Sequence, residues 1–166
     1  MADYYFYLQR MLLRNLHDPI YREIMRRLER LLREWITRKI DLRIFLVQLK
    51  ALEEERREYE ERIRGKPVEE KIGEVINTYI RSRVLQDPSI NLELKNTKRE
   101  IKRLLKRKIT STVKPSDKQR LSKALLKDLF LELKGKLSEG DLAKLADKLV
   151  DSFITEELER AMRNEL

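Results

Sequence analysis

The stretch DPIYREIMRRLERLLREW, Asp18 to Trp35, decides the fold. Asp18-Pro19 is a helix start. An aspartate side chain can accept from the first free amides, and a proline fits the first turn, where its missing N–H is not needed. Tyr21, Ile24, Leu28, Leu31, Leu32 and Trp35 then recur at steps of three and four, with arginines and glutamates between them. That spacing is one stripe of an α-helix.

The same period runs outward in both directions. Upstream, Tyr4, Tyr5, Phe6, Tyr7, Leu8, Met11, Leu12, Leu13 and Leu16 predict a helix over 3–16 that is apolar almost all round, hence buried or a dimer face. Downstream, Asp41 is an N-cap, and Ile40 and Phe45 stand at the two positions of a hydrophobic staple. The helix that follows carries Leu42, Phe45, Leu46, Leu49, Leu52, Tyr59 and Ile63 and stops at Gly65. Its EEERREYEER segment (53–62) offers Glu53–Arg57 and Glu58–Arg62 pairs and reads as a solvated face. Pro67 starts a fourth helix, with Val68, Ile72, Val75, Ile76, Tyr79, Ile80 and Val84, ending before Asp87-Pro88.

Thr97 and Glu100 have the spacing of a capping box, which predicts a basic helix from there to about Ile109. Ser116 and Gln119 suggest another box, opening a helix lined by Leu121, Leu125, Leu126, Leu129, Phe130 and Leu133 and ended by Gly135. Ser138 caps the last helical region, with Leu137 and Leu142 as a staple. Leu145, Leu149, Phe153, Leu158 and Met162 continue it, with a restart at Thr155. No segment alternates like a strand, so the expected fold is all-α, a bundle of six to eight helices. A soft boundary near 87–96 divides it into 1–90 and 91–166, unless the two form one continuous domain.

Composition agrees. Of 166 residues, 41% are hydrophobic and 40% charged, against roughly 25% charged in ordinary domains. Many Lys, Arg and Glu give the chain a thermophile-like character. There is no cysteine, which excludes disulfides and thiolate metal sites and fits a cytoplasmic protein. No apolar run approaches the length of a membrane span, and the MADYYFYLQR start lacks the pattern of a signal peptide.

The net charge of +9 is concentrated. Residues 95–123 hold 12 basic and 2 acidic side chains, and the rest of the chain is nearly neutral. In KREIKRLLKRK (98–108), Ile101, Leu105 and Leu94 fall on one edge of a helical wheel, flanked by Leu104. Lys95, Arg99, Lys102, Arg103 and Lys106 fall opposite, with Lys98 and Arg107 in the same window. Lys114, Lys118, Arg120 and Lys123 extend the charge into the next helix. Only Glu100 offsets these charges locally. Phosphates would relieve the repulsion between them, with an affinity that falls as salt rises. The eleven residues are therefore the candidate nucleic-acid-binding set. The alternatives are a solvated face covered by the chain's own acids, or a membrane surface; the second is disfavoured because the apolar edge has no Trp or Phe. The window has no aromatic residue for stacking bases, and no zinc, RNP-type or Gly-rich motif. Contact is therefore expected with the backbone alone.

Nothing points to catalysis. His17 is the single histidine, no conventional triad can be built, and there is no Gly-rich phosphate loop. No cofactor, metal or small-molecule substrate is expected. Tyr4, Tyr5, Phe6 and Tyr7 are core residues by default and a protein-partner surface as the alternative.

LREWITRKIDLRIFLVQLKALEEE (32–55) and INLELKNTKREIKRLLKRK (90–108) resemble the C-terminal helical region of type I restriction enzyme R subunits. The likeness covers roughly 20–130. It implies an all-α module, without catalytic residues, that docks a motor subunit onto a methyltransferase core. The nuclease and helicase-type motor of such subunits are not in this chain, which would make it a fragment or a free-standing relative. Three functions follow as expectations: an assembly module of a nucleic-acid-handling complex, a self-assembling structural nucleoprotein (a helical viral coat or a small subunit of a nucleic-acid-guided complex), and an accessory subunit touching only protein.

Overall fold

The structure, a computed structural model, describes residues 2–107 and 112–165. Among these there is no strand, and seven continuous helical segments form an all-α fold. The chain separates into two compact units, 1–65 and 66–166. The 87–96 stretch, where the charge changes sign, lies inside the second unit.

The first unit holds α1 (Ala2–Leu13), α2 (Pro19–Ile36) and α3 (Leu42–Ile63). Its punctuation is as expected. Asp18 accepts from Ile20 N at 2.8 Å and Asp41 from Ile44 N at 2.9 Å. Gly65, at φ +72°, takes the left-handed turn that ends α3. Leu8 and Leu12 of α1, Ile24, Leu28 and Leu31 of α2, and Phe45 and Leu49 of α3 are buried. Trp35 stacks on Phe45 with ring centroids 4.8 Å apart. The first helix ends at Leu13 rather than at residue 16, and turns carry the chain to Asp18.

The 53–62 segment is the solvated face expected of it at Glu54, Glu55, Arg57, Glu58, Glu61 and Arg62, and departs from it at Glu53 and Arg56. Glu53 and Arg56 are 1% and 3% exposed. They lie in phase with Phe45, Leu49, Leu52 and Tyr59, so the inner stripe of α3 turns from apolar to ionic without leaving the core. Arg56 Nε donates to Glu53 at 2.8 Å and Arg56 Nη1 to Glu60 at 2.6 Å. Tyr21 donates to Glu60, and Tyr59 donates to the buried Asp18 at 2.6 Å. These bonds hold the guanidinium charged, and burial together with the Glu60 bond pushes the Tyr21 phenol well up. Of the two pairs expected on the outside, Glu53–Arg57 is present at 3.7 Å.

The second unit holds α4 (Val68–Tyr79), α5 (Lys95–Arg107), α6 (Pro115–Leu133), α7 (Glu139–Leu149) and α8 (Thr155–Glu165). A π turn, Ile80–Val84, prolongs α4, and another, Val150–Ile154, joins α7 to α8 without a break. Ile72, Ile76 and Ile80, then Ile101 and Leu104, Leu121, Leu125 and Leu129, and Phe153, Ile154 and Leu158 form its core. Ser138 caps α7 through Asp141 N at 3.1 Å, and Gly135 at φ +89° ends α6, both as expected.

Two expected capping boxes are replaced. α5 begins at Lys95, two residues before Thr97, and Thr97 is 1% exposed inside the first turn. α6 begins at Pro115, whose fixed φ suits the first helical position, and Asp117 instead of Gln119 accepts from the preceding residue, Lys114, at 3.4 Å. The expected end of the basic helix at Ile109 lies outside the described residues.

Candidate nucleic-acid interface

α5 is clamped to α6 at both ends by buried carboxylates. At its start, Asp128 takes four hydrogen bonds: from the Asn96 amide and side chain at 3.2 and 2.8 Å, and from the Thr97 amide and hydroxyl at 2.8 and 2.7 Å. This is an N-cap delivered from another helix, and it displaces the local capping box because it satisfies two amides and two side chains at once. At the other end, Asp117 accepts from Arg107 at 2.7 Å and lies 3.9 Å from Arg103. The two helices therefore run antiparallel. The two aspartates stand eleven residues apart on α6, about 16 Å at 1.5 Å per residue.

The wheel drawn from the sequence holds for the apolar edge, since Leu94, Ile101 and Leu104 are buried and Leu105 half-buried. The opposite side is less free than expected, because Glu100 is not the sole offset. Glu70 of α4 binds Lys98 at 3.0 Å and Glu69 lies 3.9 Å from Lys102. Gly73 makes room for the first of these pairs: a Cβ there would come within 2.8 Å of Lys98 Cε. Lys95 pairs with Glu93, Arg103 with Glu100 and Asp117, and Arg107 with Asp117. Five of the eleven candidates are thus answered by the chain's own acids.

The other six, Arg99, Lys106, Lys114, Lys118, Arg120 and Lys123, make no ion pair among the described residues. Arg99, Arg120 and Lys123 converge, with Lys127, on a shallow groove of about 320 Å³ between α5 and α6. Asn96, Glu100 and Ala124 complete its lining. Glu100 is occupied by Arg103 at 3.0 Å, so four cations face the groove against one engaged acid. Lys127 was not among the candidates. It falls outside the 95–123 window, although its spacing from Arg120 and Lys123, seven and four residues, places it on their face of α6. Lys106 and Lys114 are exposed, and Lys118 is half-buried.

The aromatic N-terminal cluster divides. Tyr5 is buried, 7% exposed, with its ring edge-on to Phe6 at 5.6 Å. Tyr4, Phe6 and Tyr7 are exposed, and the Arg56 guanidinium lies 6.0 Å from the Tyr7 ring centroid. Among the described residues no three His, Cys, Asp or Glu side chains gather as a metal site, and no helix is long and apolar enough to cross a membrane.

Over 162 residues, 95% of its length, the chain is 43% identical to a Methanocaldococcus jannaschii protein named "Putative type I restriction enzyme MjaVIIP endonuclease subunit". The chain spans 15% of that protein's length. It is therefore similar to one region of that protein, and the likeness runs through nearly the whole chain rather than 20–130 alone. No family model and no solved structure matches it.

Proposed function

We propose that this chain is a non-catalytic helical module of a type I restriction endonuclease subunit, serving assembly of the complex and holding nucleic acid by its backbone. The kinship with part of such a subunit supports the setting. The observation that carries the nucleic-acid contact is the cluster of cations between α5 and α6, Arg99, Arg120, Lys123 and Lys127, which make no ion pair among the described residues. Charges left unpaired on a fold with 29 acidic residues to choose from suit an external anion. Phosphate contacts carry no base code, so binding is expected to be indifferent to sequence.

A second reading, contact with protein alone, is favoured by one observation. Tyr4, Phe6, Tyr7 and Leu13 are exposed on α1, Tyr4 and Tyr7 on one flank of its buried stripe and Phe6 and Leu13 on the other, apolar surface that water solvates poorly and that a partner subunit would cover. The two readings fit one module with two surfaces.

A binding titration with a 30-base-pair duplex of arbitrary sequence, between 50 and 200 mM salt, tests the nucleic-acid contact. The expected result is a discrete complex, the same for unrelated sequences, whose affinity falls steeply with salt. Absence of binding at 50 mM salt would leave only the protein contact. Particles that grow with the length of the nucleic acid would mark a self-assembling coat instead.

A further inference from the structure

We infer that the groove between α5 and α6 seats the sugar–phosphate backbone of a duplex, with Arg99 on one wall and Arg120, Lys123 and Lys127 on the other. The inference rests on the proposed nucleic-acid contact and assigns it a place and a strand form.

Three features select the duplex. The lining residues include no aromatic ring, so an unstacked base would find no platform there, and single strands are ordinarily held by such platforms. A duplex keeps its base faces stacked inside and lines its outer ridges with phosphates and sugars, which is what four cations can use. The walls are also fixed. Asp128 holds the first turn of α5 and Asp117 its last arginines, so the groove between them is set before a ligand arrives. A preorganised site suits a partner of fixed shape, since little ordering is left to do on binding.

Spacing and occupancy agree. Arg120, Lys123 and Lys127 span seven residues of α6, about 10 Å of helix, or roughly three base-pair rises of a B-form duplex. None of the four cations has to abandon an acid to reach a phosphate, whereas Lys98, Arg103 and Arg107 would each break a pair. The paired cations fix the helices and the unpaired ones meet the ligand.

The test is a salt titration of the full chain with 30-base-pair DNA, duplex RNA and a single strand of equal length. The groove variant carries Arg99→Gln, Arg120→Gln, Lys123→Gln and Lys127→Gln. The control variant carries Lys95→Gln and Lys98→Gln. Glutamine keeps helix propensity, and unchanged circular dichroism shows that both variants fold. If all four cations meet phosphates, they contribute about 3.6 to the slope of log affinity against log salt, which is roughly a 100-fold loss between 50 and 200 mM. The groove variant is expected to lose that part of the slope on both duplexes, and the control less than one unit. A groove variant that binds like the parent would overturn the placement while leaving the chain a nucleic-acid binder. Tighter binding of the single strand than of either duplex would overturn the strand form. No binding by the parent removes the inference along with the reading beneath it.

Discussion

Replacing Glu53 by alanine is expected to lower the stability of the first unit by about 3 kcal/mol. Breaking a buried ion pair costs roughly 3–5 kcal/mol because the surviving charge loses its compensation. Here the lower figure applies, since Arg56 keeps Glu60 at 2.6 Å. Trp35, the single tryptophan, stacks on Phe45 within this unit, so its fluorescence in a urea titration follows the right part of the chain. The double variant Glu53→Leu with Arg56→Met is expected to recover most of the loss, because apolar groups of similar volume commonly replace a buried pair without penalty. A single variant as stable as the parent would show that the pair contributes nothing there.

The second large effect is expected at Asp128. Alanine at this position strips the acceptor from four hydrogen bonds and strands the buried amide and hydroxyl of Thr97. A charged hydrogen bond contributes roughly 1.5–3 kcal/mol and a stranded buried donor costs about 1–3, so with partial rescue by water a loss of about 3 kcal/mol is expected. Amide exchange is the sharper measurement. Protection at Asn96 and Thr97 should fall well before that at Leu121 or Leu125, as the first turn of α5 frays from an intact α6. Equal protection across all four amides in the variant would mean that the clamp does not hold that turn.

These two residues also show where the sequence was legible and where it was not. Features decided by neighbours in the chain were readable: the Asp18, Asp41 and Ser138 caps, the stops at Gly65 and Gly135, and the inner apolar stripe of α2, whereas the first helix buries Tyr5, Leu8 and Leu12 and leaves Tyr4, Phe6, Tyr7 and Leu13 exposed. The caps from Thr97 and Ser116 failed for different reasons. Thr97 lost to a carboxylate 31 residues away, whose arrival depends on how α6 packs. Ser116 lost to a proline beside it, whose preference for the first helical position was available in the sequence. Glu53 and Arg56 were misplaced because charge was taken as a mark of the outside, although their phase with Leu49 and Leu52 already put them inside.

The candidate site was half legible for a related reason. Charge density located α5 and α6, but the acids that quench Lys98 and Lys102 come from α4, about 30 residues upstream. Only the packed helices separate a paired lysine from a free one. Lys127 was missed because a window of net charge, rather than a helix face, bounded the set.

The widened turn at Val150–Ile154 has a mechanical consequence. The apolar steps Leu145, Leu149, Phe153, Leu158 and Met162 run four, four, five, four, and the long step starts at Phe153, inside that turn, and ends in α8. At 3.6 residues per turn, one residue is worth about 100° of rotation. The surplus residue therefore works like a phase-setting shim for α8. A one-codon deletion there would leave a helix of good local propensity but swivel Leu158 and Met162 toward water and their charged neighbours inward, a fault no inspection of α8 alone would reveal.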